Sequence, residues 1–120
     1  MSFLQKYGRL IASGLLALIV VPAGIAKLMG VPAVHESFSI LGLPVWFGYV
    51  IGAAEVAGGV GLFVPRVARL AALGLAAIGL GAVYFHVAHT PLAQGIPALV
   101  VLVLSGLLAL YGRRTVAAAA

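Results

Sequence analysis

The sequence predicts an all-α protein, a polytopic membrane four-helix bundle with both termini cytoplasmic, and three observations carry that expectation. The first is composition: 64% of the 120 residues are hydrophobic and 8% are charged. A soluble domain carries about 25% charged residues, so this chain lacks the polar side chains to cover a water-facing surface. The second is a set of four apolar runs at about 10–28, 45–64, 67–87 and 92–111. Each is near the length, about 20 residues, that an α-helix needs to cross a bilayer. The third is charge placement. In a four-helix topology Lys6, Arg9, Arg66, Arg69, Arg113 and Arg114 fall on one side and Lys27 on the other. The positive-inside rule then puts both termini in the cytoplasm, and the expected location is the cell membrane, crossed several times. One domain, 1–120, is expected to fill the length.

The same composition removes several chemistries. The chain has no cysteine, which excludes disulfides, thiol redox chemistry and cysteine-ligated zinc or iron–sulfur clusters on its own residues. Its net charge of +5 is spread along the chain. That is not the single basic patch of a nucleic-acid binder.

Helix 1 is read over 10–28, with Pro22 removing one backbone hydrogen bond and predicting a kink just before it. Lys27 ends this run on the face that carries Ser13, Val20, Ala23 and Gly24. It can snorkel to the head groups or turn inward. Residues 30–44, GVPAVHESFSILGLP, are read as an outer loop with a short interfacial segment around 38–41. Within it His35 and Glu36 are read as solvated neighbours, because consecutive side chains diverge on a helix.

Helix 2, 45–64, follows, with Trp46 and Tyr49 suited to the aromatic belt. Its one formal charge, Glu55, sits near the middle. An ionised carboxylate at that depth costs about 2.5 kcal/mol or more, so it should face other helices or water and find a partner. Gly48, Gly52 and Gly59 fall on the same helical stripe as Glu55, and small residues let backbones approach closely in lipid. Helix 3, 67–87, carries a second small stripe, Ala72, Ala76, Gly79 and Ala82, leading to His86 and expected to pack on helix 2. His86, His89 and Thr90 can share a face, but two imidazoles without nearby carboxylates make a poor metal site, so none is expected. Helix 4, 92–111, reads as scaffold, stopped by Arg113 and Arg114, with a frayed Ala-rich tail.

Glu55, Lys27 and His86 are therefore the candidate catalytic residues, and Glu55, Gly52 and His86 the candidate ligand-binding set. At 1.5 Å per residue, about 10 Å of depth separates Glu55 from Lys27 or His86. Direct contact then needs tilt, a long lysine reach or a bridging water; a small polar cleft opening outward is the alternative. A desolvated carboxyl would suit proton delivery to a reduced quinone, whereas one reached by Lys27 is an ion pair.

AGIAKLMG at the end of helix 1, LPVWFGYVIGAAEVAGGVGLFVPR through helix 2, RLAALGLAAIGLGAVYFH through helix 3 and the closing GRR resemble the DoxX-like family. The resemblance covers nearly the whole chain. It implies a four-helix integral membrane protein with polar positions matched here by Lys27, Glu55 and His86. It also implies quinone-linked redox with an oxidoreductase partner subunit; membrane lipid and a second copy of the chain are the other expected partners. Three functions stay open: an accessory or quinone-binding subunit of a redox system, a self-standing membrane enzyme doing acid–base chemistry on a lipophilic substrate, and a structural assembly subunit.

Overall fold

The computed structural model describes residues 3–119 as five α-helices and one 3₁₀ turn. Helix α1 spans Phe3–Leu28, so it begins well before residue 10. Pro22 lies inside it without ending it. Its C-terminus is closed by Gly30 in the left-handed region at φ +75°. There the Val31 N–H donates to the Ala26 carbonyl at 3.2 Å and the Gly30 N–H to the Lys27 carbonyl at 3.1 Å, the paired bonds of a Schellman stop.

The expected outer loop is largely a helix, α2, spanning Pro32–Ile40. Its physical signals are a proline in the first turn, where the missing N–H costs nothing, and a second Schellman stop. Gly42 has φ +75°, and Leu43 and Gly42 donate to Phe38 and Ser39 at 2.9 Å each. Pro44 then caps α3, Val45–Gly61, at a bend of 119° from α2. Helix α3 ends three residues short of the expected 64. Its 17 residues rise about 25 Å, the low end of what a membrane crossing needs.

A tight turn leads to α4, Ala68–His89. The 3₁₀ turn Leu92–Gly95 follows, so α5 starts at Ile96, not 92. Pro97 in its first turn accounts for that start. Helix α5 spans Ile96–Ala119, so it continues past Arg113 and Arg114, which do not stop it.

Three helices, α1, α4 and α5, are long and apolar enough to cross a membrane, and α2 with α3 makes a fourth if the bent pair is one span. α1 packs most extensively on α3, and α4 on α5. Contacts of α3 with α4 and of α1 with α5 close the ring. Leu16, Val20, Leu62, Ala72, Leu75, Val101 and Leu108 form the core. Leu18, Leu70, Leu80 and Leu110 point outward, each more than 60% exposed, an arrangement that is stable facing acyl chains and costly facing water.

One packing expectation is corrected. At Gly79, on the small-residue stripe of α4, an added Cβ would lie 3.1 Å from the Leu102 backbone nitrogen. That stripe seats α5 there, not α3. Arg69 ties the other end of the same pair, its Nε donating to the Ala109 carbonyl at 3.4 Å.

Candidate functional site: an ion pair at a glycine crossing

The stripe Gly48, Gly52, Glu55 and Gly59 on α3 is buried throughout, as its helical spacing predicts. It faces α1. An added Cβ at Gly24 would sit 2.6 Å from the Gly52 carbonyl oxygen, and one at Gly52 would sit 2.9 Å from the Gly24 carbonyl oxygen. No real Cβ tolerates either contact, so these two glycines are where the helix backbones touch. Gly59 continues the contact against Val20 and Val21.

The crossing places Lys27, one turn beyond Gly24, beside Glu55, one turn beyond Gly52. Lys27 Nζ lies 2.7 Å from Glu55 Oε1, with the two side chains 15% and 8% exposed. The lysine has turned inward. The estimated depth gap of about 10 Å is closed by the near contact of the backbones and by the lysine's four-carbon reach. A buried carboxylate with a cation at this distance is stable where an isolated one is not. Oε1 has the ammonium as its partner, and no other donor reaches it among the described residues.

His35, expected to be a solvated loop residue, belongs to this site. It is half-buried, and its Nε2 donates to the Lys27 carbonyl at 2.8 Å. Since a carbonyl can only accept, Nε2 carries the proton. That carbonyl also takes the Gly30 N–H, so both its lone pairs are used. The imidazole lies against Gly48, where any Cβ would collide with Nδ1, and 4.6 Å from the Tyr49 ring. Sequence reasoning missed His35 because its partner is a backbone carbonyl. Glu36 beside it is exposed, as expected.

His86 stands apart from Glu55, with which it forms neither an ion pair nor a hydrogen bond. Its Nδ1 is 2.9 Å from Thr90 Oγ1, and that hydroxyl is 3.0 Å from the His86 carbonyl. One hydroxyl proton satisfies both contacts only if the hydroxyl donates to the carbonyl and Nδ1–H donates to the hydroxyl. The shared face expected for His86 and Thr90 is thus real, and it closes a local cap at the end of α4. His86 also packs against the 3₁₀ turn, 3.1 Å from a Cβ placed on Gly95. The exposed His89 packs its ring 5.3 Å from Phe85. Among the described residues no three His, Asp or Glu side chains gather as a metal site would require.

Gly52 contributes close approach of the helices. An open apolar groove of about 430 Å³ runs between α3 and α4, lined by Ile51, Ala54, Gly58, Leu70, Gly74 and Ile78 among others. It lies on a neighbouring face of α3, and Glu55, Lys27 and His86 do not line it.

These features define a helical membrane protein with a buried Lys–Glu pair at a glycine crossing. The model of the DoxX-like family matches residues 11–108. The chain belongs to that family, and the match takes in α2, α3, α4 and every residue of the site. The chain matches no curated protein and no solved structure.

Proposed function

We infer that the chain is an accessory, small-ligand-binding subunit of a membrane redox system, multi-pass in the cell membrane with cytoplasmic termini. Its ligand is a quinone-like apolar molecule whose oxygen-bearing end meets Lys27 and Glu55. The observation that carries this reading is the Lys27–Glu55 pair itself, a cationic donor and an anionic acceptor held 2.7 Å apart and shielded inside the bundle. A hydroxyl of a reduced, quinol-type ligand is a donor of the right kind for Oε1, and the remaining ammonium N–H groups of Lys27 suit a carbonyl oxygen. Electron transfer to or from such a ligand falls to a partner oxidoreductase.

The second reading is structural, with the ion pair pinning α1 to α3, and the contact between Gly24 and Gly52 favours it. Native mass spectrometry in mild detergent separates the two. Wild type should carry an apolar molecule of quinone-like mass that Glu55→Gln loses while staying folded. Ordinary lipid alone on both proteins, with a difference only in stability, would leave the pinning role in its place.

A further inference from the structure

Helix α2 is held lightly for an element so close to a buried ion pair. None of its residues is buried, and both its ends turn on a glycine at φ +75°, Gly30 and Gly42. Those are the positions where a backbone can reorient with least steric hindrance. What fastens α2 to the bundle is two rings, His35 and Phe38, the latter packed edge-on against Phe47 of α3 at 5.7 Å. His35 donates to the Lys27 carbonyl, lies against Gly48 and packs on Tyr49, with Phe38 beside it 3.2 Å from the same Gly48 position.

Gly48 is on the stripe that also carries Gly52 and Glu55, about 10 Å from Glu55 along the helix toward α2. Its missing side chain leaves a notch in α3 on the α2 side of the ion pair, and the imidazole fills that notch. Lys27 thus has Glu55 on one side and, through its own carbonyl, His35 on the other.

We propose that α2 is a lid and His35 its plug: hinging at Gly30 and Gly42 lifts the ring from the Gly48 notch and opens Lys27 and Glu55 to water and small solutes. The inference rests on how α2 is packed and does not depend on which ligand the pair binds. A device of this kind would let a polar site stay dry inside a membrane until it is used.

Lys6 and Lys27 are the chain's two lysines, so the test reads Lys27 against an internal reference. A water-soluble amine-acylating ester is applied to the protein in detergent micelles, and the initial acylation of each lysine is followed by peptide mass spectrometry. In wild type, Lys27 should react far more slowly than the exposed Lys6. In His35→Ala, loss of the latching hydrogen bond should raise the Lys27 rate relative to Lys6 by about tenfold. His35→Gln, which keeps a donor, should retain most of the protection. Gly48→Ala, which displaces the ring while leaving His35 in place, should reproduce the rise. Helical circular dichroism accompanies each variant. Equal reactivity of Lys27 and Lys6 in wild type would overturn the proposal, as would a Lys27 rate unmoved by both His35→Ala and Gly48→Ala. So would a rise in His35→Ala that comes with lost helicity and is not reversed by glutamine.

Discussion

Replacing Glu55 by glutamine keeps the shape of the side chain and removes its charge, leaving the Lys27 ammonium with 15% of its side chain exposed and no counter-ion. Breaking a buried pair from one side costs about 3–5 kcal/mol. Lys27 sits in the last turn of α1, where its stem can swing toward the head groups and recover hydration, so the lower end, about 3 kcal/mol, is the expected loss. Lys27→Met strands the carboxylate in the same way and should cost a similar amount. Lys27→Met with Glu55→Gln removes both charges and should return to within about 1 kcal/mol of wild type, since neutral groups in place of a buried pair are often tolerated. The assay is reversible unfolding in mixed micelles, titrated with a denaturing detergent, for all four proteins. The reasoning is refuted if Glu55→Gln alone is within about 0.5 kcal/mol of wild type, or if the two single losses simply add in the double variant.

Further outcomes follow from the same geometry. Gly24→Ala drives a Cβ into the Gly52 carbonyl and Val56 and should destabilise by about 1–3 kcal/mol, whereas Gly81→Ala, with nothing within 4 Å, should be neutral or stabilising by up to about 1 kcal/mol; unfolding titrations compare them. Gly42→Ala puts a side chain on a residue at φ +75° with open space around it, and should cost about 1–2 kcal/mol from backbone strain alone. Thr90→Val removes the hydroxyl that His86 Nδ1 bonds, and nitrogen NMR of the imidazole should then show His86 leaving its single Nδ1–H tautomer.

Much of the bundle is legible in the sequence because helical period and apolar length are properties of single segments. Gly48, Gly52, Glu55 and Gly59 share a face by spacing alone, and so do Lys27, Gly24 and Val20, all of which the structure turns inward. What spacing does not contain is which faces meet. Helix α4 is apolar nearly all round, and only the assembled bundle selects α5 as the neighbour of Gly79. Helix α2 escaped because its His, Glu and two Ser residues break the apolar pattern, although Pro32 and Gly42 mark its ends. His35 was hidden more deeply, since its anchors are a carbonyl and a glycine, neither of which shows as a side-chain motif. The Lys27–Glu55 contact lay between these cases: both residues stood out, but a count of residues along two separate helices overstates their distance when the backbones touch at Gly24 and Gly52.

The claim on which the site depends is that Lys27 turns inward to Glu55 instead of reaching for the head groups. With two lysines, Lys6 and Lys27, and two acidic residues, Glu36 and Glu55, solid-state NMR in bilayers can test it directly by labelling lysine Nζ and glutamate Cδ. The structure predicts strong dipolar coupling for one lysine–glutamate pair, abolished in Glu55→Gln and reflecting the 2.7 Å contact. Absence of any close pair in wild type, with both lysine signals responding to the head groups, would contradict the account.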